Sequence, residues 1–370
     1  MGKLFSLFFI FLIWTLCFFY ARKWAKKDLL GYSDYRCNRS VYKHFFLLIF
    51  IYSLINSVGG DYSRYKEFVE GGYLDSFYYD NFGYEKLYIY LASISRGSLF
   101  IWKIFVYGIT VFLTYCSVIR FNRYGNLILL MITICILPSY GITRAVLAFS
   151  IYLLGVLTFY KDGKKYKLLG LLLILSSYGA HTSMIIPILL FPLSFVKLTP
   201  KRLILAICLA PFIITIINSI PSIIESILGD SNSMLLYKFN TYSNEGKDAY
   251  NAYRSFLSSI YGVLDLVLIM TILYYALKSL FKKEHSSQYR HIVMICFMMA
   301  YISLIFKFSD LFASAILYQR FFNMVPFFVY FIVPEFAQQG SRKDFKIITS
   351  LGYLKVSFFF VMEMYYASFN

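Results

Sequence analysis

Two polar residues interrupt the most apolar part of the chain, and their types suggest related chemistry. Arg144 follows Pro138 and Gly141 and opens an apolar run, whereas His181 lies between two apolar runs. Titratable groups at membrane depth are costly and often mark functional sites. An arginine beside a helix N-terminus suits phosphate oxygens, and a histidine can transfer a proton or bind a phosphate. We therefore predict that Arg144 and His181 face one polar cavity.

Structural roles compete with this interpretation. An arginine near the end of a membrane helix can extend its charged head to the interface. A histidine in a turn can be satisfied by neighbouring groups alone.

A polar, tyrosine-rich segment (residues 59–98, the first polar segment) supplies further candidates. Asp61 follows two glycines, and its carboxylate could accept a proton from a sugar hydroxyl; its alternative role is a helix N-cap. Glu85 is a second candidate base. Arg64 is a candidate phosphate ligand. The tyrosines could stack on the apolar faces of sugars, with Tyr62, Tyr65 and Tyr84 as the chosen candidates.

Two arginines in the second half of the chain complete the candidate set. Arg320 lies within the apolar run LYQRFFNMVPFF, where a charge needs a partner or a polar cavity. It could contact substrate, or it could pair with Asp265. Arg254 lies in a second polar segment (residues 221–255) and is a candidate sugar ligand.

The composition indicates the elements that must position these residues. Of the 370 residues, 59% are hydrophobic and only 15% are charged, against about 25% charged in soluble domains. Apolar runs near the length of a membrane-crossing helix recur from end to end. We predict an all-α polytopic bundle forming a single membrane domain, 1–370. The pattern suggests twelve spans, at 4–20, 44–58, 99–119, 126–138, 143–160, 168–180, 182–196, 203–220, 256–277, 291–308, 311–333 and 347–366.

The basic residues orient these spans. Although the net charge is +17, lysine and arginine cluster in short alternate loops, which is typical of cytoplasmic loops and not of a nucleic-acid surface. Both polar segments, 59–98 and 221–255, are then predicted to lie outside. The apolar N-terminal stretch is interpreted as a retained first helix because a strongly basic sequence follows it at once.

Several familiar catalytic signatures do not occur in the sequence. It has no GxxxxGK[ST], HExxH or GxSxG, and its four histidines do not form a spaced metal set. Its six cysteines form no CxxC pair and are interpreted as buried apolar thiols. We therefore predict neither a metal nor a cofactor.

Five short motifs, taken together, resemble the EpsG family of polysaccharide polymerases, which are close in role to Wzy-type O-antigen polymerases. The motifs are GGDYSRYKEF, FGYEKLYIYLAS, GITRAVLAFSIYLL, AHTSMIIPILL and YQRFFNMVPFFVYFIVP. Their order matches over roughly residues 1–335. The chain departs from the family pattern at Asn56, where an arginine is common, and at Ala145, where a glutamine is common.

The resemblance implies a GT-C-like glycosyltransferase in the bacterial inner membrane, with its active site facing the periplasm. The donor would be a glycan on undecaprenyl pyrophosphate, and the acceptor a lipid-linked repeat unit. Arg144, Arg320 and Arg64 would bind pyrophosphate, and His181, Asp61 or Glu85 would act in proton transfer. Membrane lipid and a chain-length regulator protein are candidate partners.

Two other functions stay open at this point. An O-antigen ligase or another lipid-linked glycosyltransferase would use the same donor. A polysaccharide flippase or other transporter would need a polar cavity open alternately to each side, although no internal repeat is visible in the sequence.

Overall fold

The computed structural model of the chain describes a helical protein. The described residues are 2–29, 35–55, 62–71, 86–120, 125–135, 143–228, 256–282, 285–308, 322, 324–339 and 342–369. Within them lie fourteen α-helices and no strand. The helices are α1 (Gly2–Leu29), α2 (Tyr35–Ile55), α3 (Tyr62–Glu70), α4 (Lys86–Ser95), α5 (Leu99–Arg120), α6 (Gly125–Cys135), α7 (Thr143–Phe159), α8 (Lys164–Ala180), α9 (Ile185–Leu193), α10 (Pro200–Leu228), α11 (Phe256–Lys282), α12 (Ser287–Phe308), α13 (Val325–Gln339) and α14 (Arg342–Phe369).

The all-α membrane fold predicted from composition is confirmed. Among the described residues, six helices are long and apolar enough to cross a membrane, at Leu7–Lys26, Leu99–Ile119, Pro200–Ser219, Ile260–Phe281, Ser287–Phe308 and Asp344–Tyr365. Shorter apolar helical stretches accompany them at Val41–Ile55, Asn126–Cys135, Ala145–Phe159 and Thr182–Leu193. The exposed faces of the long helices carry large apolar side chains, such as Phe112 of α5 and Phe212 of α10, which are 62% and 68% exposed. That pattern suits contact with lipid chains and not with water.

Several element boundaries differ from the predicted ones. Helix α10 begins close to the predicted start but runs to Leu228, into the second polar segment. Helix α9, at nine residues, is shorter than the predicted span over 182–196. Residues 229–255 and 309–321 lie outside the described residues.

Part of the first polar segment is helical. It contains α3 and α4. In α3, Tyr65, Phe68 and Val69 are buried at the helical spacing i, i+3, i+4. The charged residues of this stretch, Lys66, Glu67 and Glu70, are exposed. Both helices are short and amphipathic, and α4 likewise buries one face, at Tyr88, Leu91 and Ala92.

The chain forms two compact units, residues 1–189 with 327–370 (unit 1), and residues 190–326 (unit 2). In unit 1, α1 packs against α2, α6 and α14. The indole nitrogen of Trp14 on α1 donates a hydrogen bond to the Thr133 carbonyl oxygen at 3.0 Å, near the end of α6. The Trp14 ring also contacts Tyr353 and Phe360 on α14. These contacts form an aromatic core around the short helix α6.

In unit 2, α12 packs against α10 and α11. The Tyr301 hydroxyl of α12 donates to the Ala206 carbonyl oxygen of α10. Between α11 and α12, the His285 ring stacks on Tyr289 and its Nε2 lies 3.0 Å from the Ser279 hydroxyl. These polar contacts tie the unit's long apolar helices together.

Candidate active site

The helices α7 and α8 form a hairpin whose backbones are in direct contact. A Cβ atom built on Gly155 would lie 2.8 Å from the Ile174 nitrogen and 2.9 Å from the Gly170 carbonyl oxygen. A Cβ atom on Gly170 would lie 2.6 Å from the Phe159 nitrogen. Only glycine permits so close an approach, which is the usual device for packing helices in a membrane. The hairpin is therefore a tightly fixed unit.

This hairpin places Arg144 and His181 at the same end. Arg144 is the second residue of α7, eleven residues before Gly155, and His181 follows α8, eleven residues after Gly170. The two helices are antiparallel neighbours joined by the turn at 160–163. Eleven residues of helix rise about 16 Å, so both residues lie at a similar height above the glycine contact.

His181 ends α8 and begins a short 3₁₀ turn, Thr182–Met184. Its backbone is extended, and its N–H donates to the Ser177 carbonyl oxygen at 3.1 Å. The imidazole Nδ1 accepts a hydrogen bond from the backbone N–H of Ser183 at 3.2 Å. Because a backbone N–H can only donate, Nδ1 is unprotonated here, and the proton of the neutral ring is on Nε2. In this tautomer Nε2 is a hydrogen-bond donor and not a base.

The hairpin is joined to its neighbours by buried polar contacts. The Tyr152 hydroxyl of α7 donates to the Pro187 carbonyl oxygen of α9 at 2.9 Å. On another side of α7, the hydroxyls of Ser150 and Thr114 lie 3.2 Å apart and link α7 to α5. These bonds are buried, so they fix the hairpin to α5 and α9 more firmly than exposed contacts would.

The helices of the first polar segment pack against α5, and one of them, α4, also contacts the hairpin. Trp102 on α5 is fully buried, with the Tyr65 ring of α3 at 5.5 Å and the Tyr88 ring of α4 at 6.0 Å. Helix α4 also packs against α8, the helix that ends at His181. Asp61 immediately precedes α3 and Glu85 immediately precedes α4. Helix α4, which follows Glu85, is thus a neighbour of the hairpin, whereas α3, which follows Asp61, packs against α4 and α5.

Tyr65 has a packing role in this arrangement. Its side chain is only 5% exposed and its ring contacts Trp102. Little of the ring is left for stacking against a sugar. Its burial corrects the expectation that Tyr65 is available as a sugar ligand in this conformation.

Lys103 is a buried cation that the sequence interpretation missed. It lies in the first turns of α5, is 7% exposed, and its Nζ donates to the Leu54 carbonyl oxygen of α2 at 3.3 Å. The sequence could have indicated it, because Lys103 is a charged residue within the apolar run LFIWKIFVYG. Arg144 and His181 were chosen because polar residues in apolar runs are costly, and the same reason applies to Lys103.

The other predicted residues are only partly placed. For Tyr62, Arg64 and Arg144, the structure describes the helices that carry them. The remaining candidates lie outside the described residues: Asp61, Tyr84, Glu85, Arg254 and Arg320. Within the described part of the chain, no three His, Cys, Asp or Glu residues form a group able to hold a metal ion.

Comparison with known proteins identifies the family. No curated protein and no solved structure matches the chain. A family model described as the EpsG family matches residues 41–370, a range that includes the α7–α8 hairpin and both polar segments. Because this match covers far more than half of the chain, the protein belongs to the EpsG family.

Proposed function

We propose that this protein is a polysaccharide polymerase that joins undecaprenyl-pyrophosphate-linked repeat units on the outer, periplasmic face of the bacterial inner membrane. Membership of the EpsG family supports a membrane polysaccharide-polymerase type of function in general. The observation that carries the finer proposal is the glycine-packed hairpin, which brings a helix N-terminus with Arg144 and a histidine to one end of one unit.

The proposed reaction is a glycosyl transfer of the GT-C-like class. A hydroxyl oxygen at the non-reducing end of the acceptor attacks the anomeric carbon of the donor glycan. The bond between that carbon and the pyrophosphate oxygen breaks, and undecaprenyl pyrophosphate leaves with the bonding electrons. The hydroxyl proton passes to a base. The acceptor then carries the donor's chain and is longer by that whole glycan.

Each side chain has a defined role in this proposal. The guanidinium of Arg144 and the free N–H groups at the start of α7 stabilise the charge that develops on the pyrophosphate. The Nε2–H group of His181 donates a hydrogen bond to a substrate oxygen, in keeping with the tautomer in which Nδ1 accepts from Ser183. The carboxylate of Asp61 takes the acceptor proton, with Glu85 as the second candidate. Arg64 and Arg320 assist at the pyrophosphate, and Tyr62, Tyr84 and Arg254 contact sugars.

The direct test is synthesis by the purified protein in lipid nanodiscs. Supplied with undecaprenyl-pyrophosphate-linked repeat units and no other acceptor, the protein should form a ladder of longer chains and release undecaprenyl pyrophosphate. Transfer of single units only to a non-repeat acceptor would support a ligase instead. Movement of the lipid-linked unit across vesicles without chain growth would support a transporter.

If His181 acts through the Nε2–H donor, asparagine and glutamine at this position should differ in activity. Asparagine places an acceptor oxygen near the position of Nδ1 but nothing at Nε2, whereas glutamine places its amide near Nε2. We expect His181→Asn to keep normal thermal stability and to lose about 100-fold in rate, because the Ser183 contact is kept and the donor is lost. His181→Gln should recover part of that loss. The measurements are initial rates and thermal unfolding in the same detergent.

A base at this position would behave differently. Both amides would then be equally inactive, and the wild-type rate would fall on the acid side of a bell-shaped pH profile through protonation of the imidazole. Finding those two results together would reject the donor role.

A further inference from the structure

The contact between Lys103 and Leu54 belongs to a continuous interface between α2 and α5. A Cβ atom on Gly108 would lie 3.8 Å from the Phe50 ring, and the rings of Phe46 and Tyr115 meet edge to face at 5.4 Å. The contacts pair Leu54 with Lys103, Phe50 with Gly108, and Phe46 with Tyr115. The residue numbers decrease along α2 as they increase along α5, so the two helices are antiparallel. The end of α2 meets the beginning of α5, where Lys103 lies.

At this place the ammonium of Lys103 meets the last turn of α2. Leu54 is the penultimate residue of that helix. The last carbonyls of a helix lack partners within the helix and carry partial negative charge. A buried ammonium that donates to one of them stabilises the helix end, and its own burial is made less costly by that contact.

Trp102, the residue before Lys103, contacts the helix at the other end of residues 56–61. Trp102 packs against Tyr65 in the second turn of α3. The residues between the two contacts include the whole segment 56–61, from the end of α2 to the start of α3. Consecutive residues of α5 therefore fix the helices on either side of this segment. In the sequence, residues 56–61, among them Asp61, join the two helices that these contacts fix.

We propose that Lys103 is a positioning residue for the transfer reaction: by fixing the C-terminal end of α2, it sets the origin of the segment that carries Asp61. This role rests on the proposed function, in which the Asp61 carboxylate takes the acceptor proton. Lys103 itself does not touch substrate in this proposal. Small displacements of a base cost much of its rate, since a misplacement of about 1 Å can cost about 100-fold.

The kinetic test compares Lys103→Met, Lys103→Arg, Asp61→Asn and the double variant Lys103→Met/Asp61→Asn. We expect Lys103→Met to lower kcat by about 10- to 100-fold with KM nearly unchanged. Arginine keeps a cation with several donors, so Lys103→Arg should restore most of the rate. Because Lys103 acts through Asp61, the double variant should be no slower than Asp61→Asn alone.

The matched control is Lys66→Met on α3. Lys66 is exposed and pairs with Glu70 at 4.0 Å, and a surface pair of this kind contributes little. It should therefore keep the wild-type rate. If the losses from Lys103→Met and Asp61→Asn multiply in the double variant, or if arginine restores nothing, the positioning role is rejected.

Hydrogen exchange separates this inference from the proposed function. In the purified protein, backbone amides in the last turn of α2 should exchange faster in Lys103→Met than in the wild type, and at the normal rate in Lys103→Arg. This result does not depend on activity. Unchanged exchange in Lys103→Met would refute the anchor even in an active polymerase, whereas faster exchange in a protein that forms no chains would refute only the polymerase. Should Lys103→Met fail to fold, Lys103→Gln, which keeps a donor without the charge, replaces it.

Discussion

Alanine in place of Arg144 should abolish the formation of long chains while the protein stays in the membrane at normal abundance. Arg144 lies in the first turn of α7, where the helix leaves backbone N–H groups unpaired and carries partial positive charge. A leaving pyrophosphate develops negative charge in the transition state, and a lost donor to such a charge costs about 10²–10³-fold in rate. Removing the full charge of the guanidinium should cost at least that much.

Lysine at the same position distinguishes charge from geometry. Arg144→Lys keeps the cation but loses the planar fork that binds two oxygens at once. We expect a rate between those of the wild type and Arg144→Ala. The measurement is chain-length distribution on gels from purified protein, with membrane abundance followed by immunoblot. Arg22→Ala, which removes an exposed arginine of α1, is the control and should give normal chains. Normal chain lengths in Arg144→Ala would remove Arg144 from the site.

The class of fold could be predicted from composition because bilayer physics leaves few choices. Backbone polar groups in hydrocarbon must be paired within the segment, so long apolar runs become helices. The first and last residues of a helix are harder to predict. An apolar run indicates which residues can contact lipid or the core, but it does not indicate where the helix ends. Helix α10 shows the difference, because its apolar character fades before Leu228 whereas its backbone stays helical.

Polar residues within apolar runs were the useful signal for the site, because their burial is expensive wherever they occur. That rule pointed to Arg144 and His181 from their neighbours alone. The same rule applied to Lys103. Its role is visible only in the structure, because its partner Leu54 lies 49 residues away in the chain. Which ring nitrogen of His181 carries the proton also depends on local geometry, as it is set by the backbone N–H of Ser183.

The close contact at Gly155 and Gly170 could not be anticipated from either residue. Glycine within a helical pattern can mean a bend, a cap or a close approach. Only the pairing of α7 with α8 shows that it is a close approach, with one glycine next to the other's backbone. Because Arg144 and His181 depend on this contact for their common position, a substitution at either glycine should disturb the site without changing a candidate site residue.

Substituting Gly170 should therefore destroy activity through packing alone. The atoms nearest to a Cβ at this position are the backbone nitrogen and Cα of Phe159, at 2.6 and 2.7 Å. Backbone atoms cannot rotate away as a side chain can, so the helices must separate. Overpacking of this kind costs about 1–3 kcal/mol, and sometimes more. We expect Gly170→Ala to lower the Tm and the rate, and Gly170→Leu to prevent stable insertion of the hairpin.

The sign of the alanine effect makes the test decisive. Alanine exceeds glycine in helix propensity by about 1 kcal/mol, so in the absence of a steric clash Gly170→Ala should stabilise the protein. Gly179→Ala is the matched control in the same helix, because nothing lies within 4 Å of the Cβ position there. It should keep or raise the Tm measured by thermal unfolding in detergent. If Gly170→Ala raises the Tm as much as Gly179→Ala does, the two helices are not in backbone contact, and the basis for placing Arg144 beside His181 is lost.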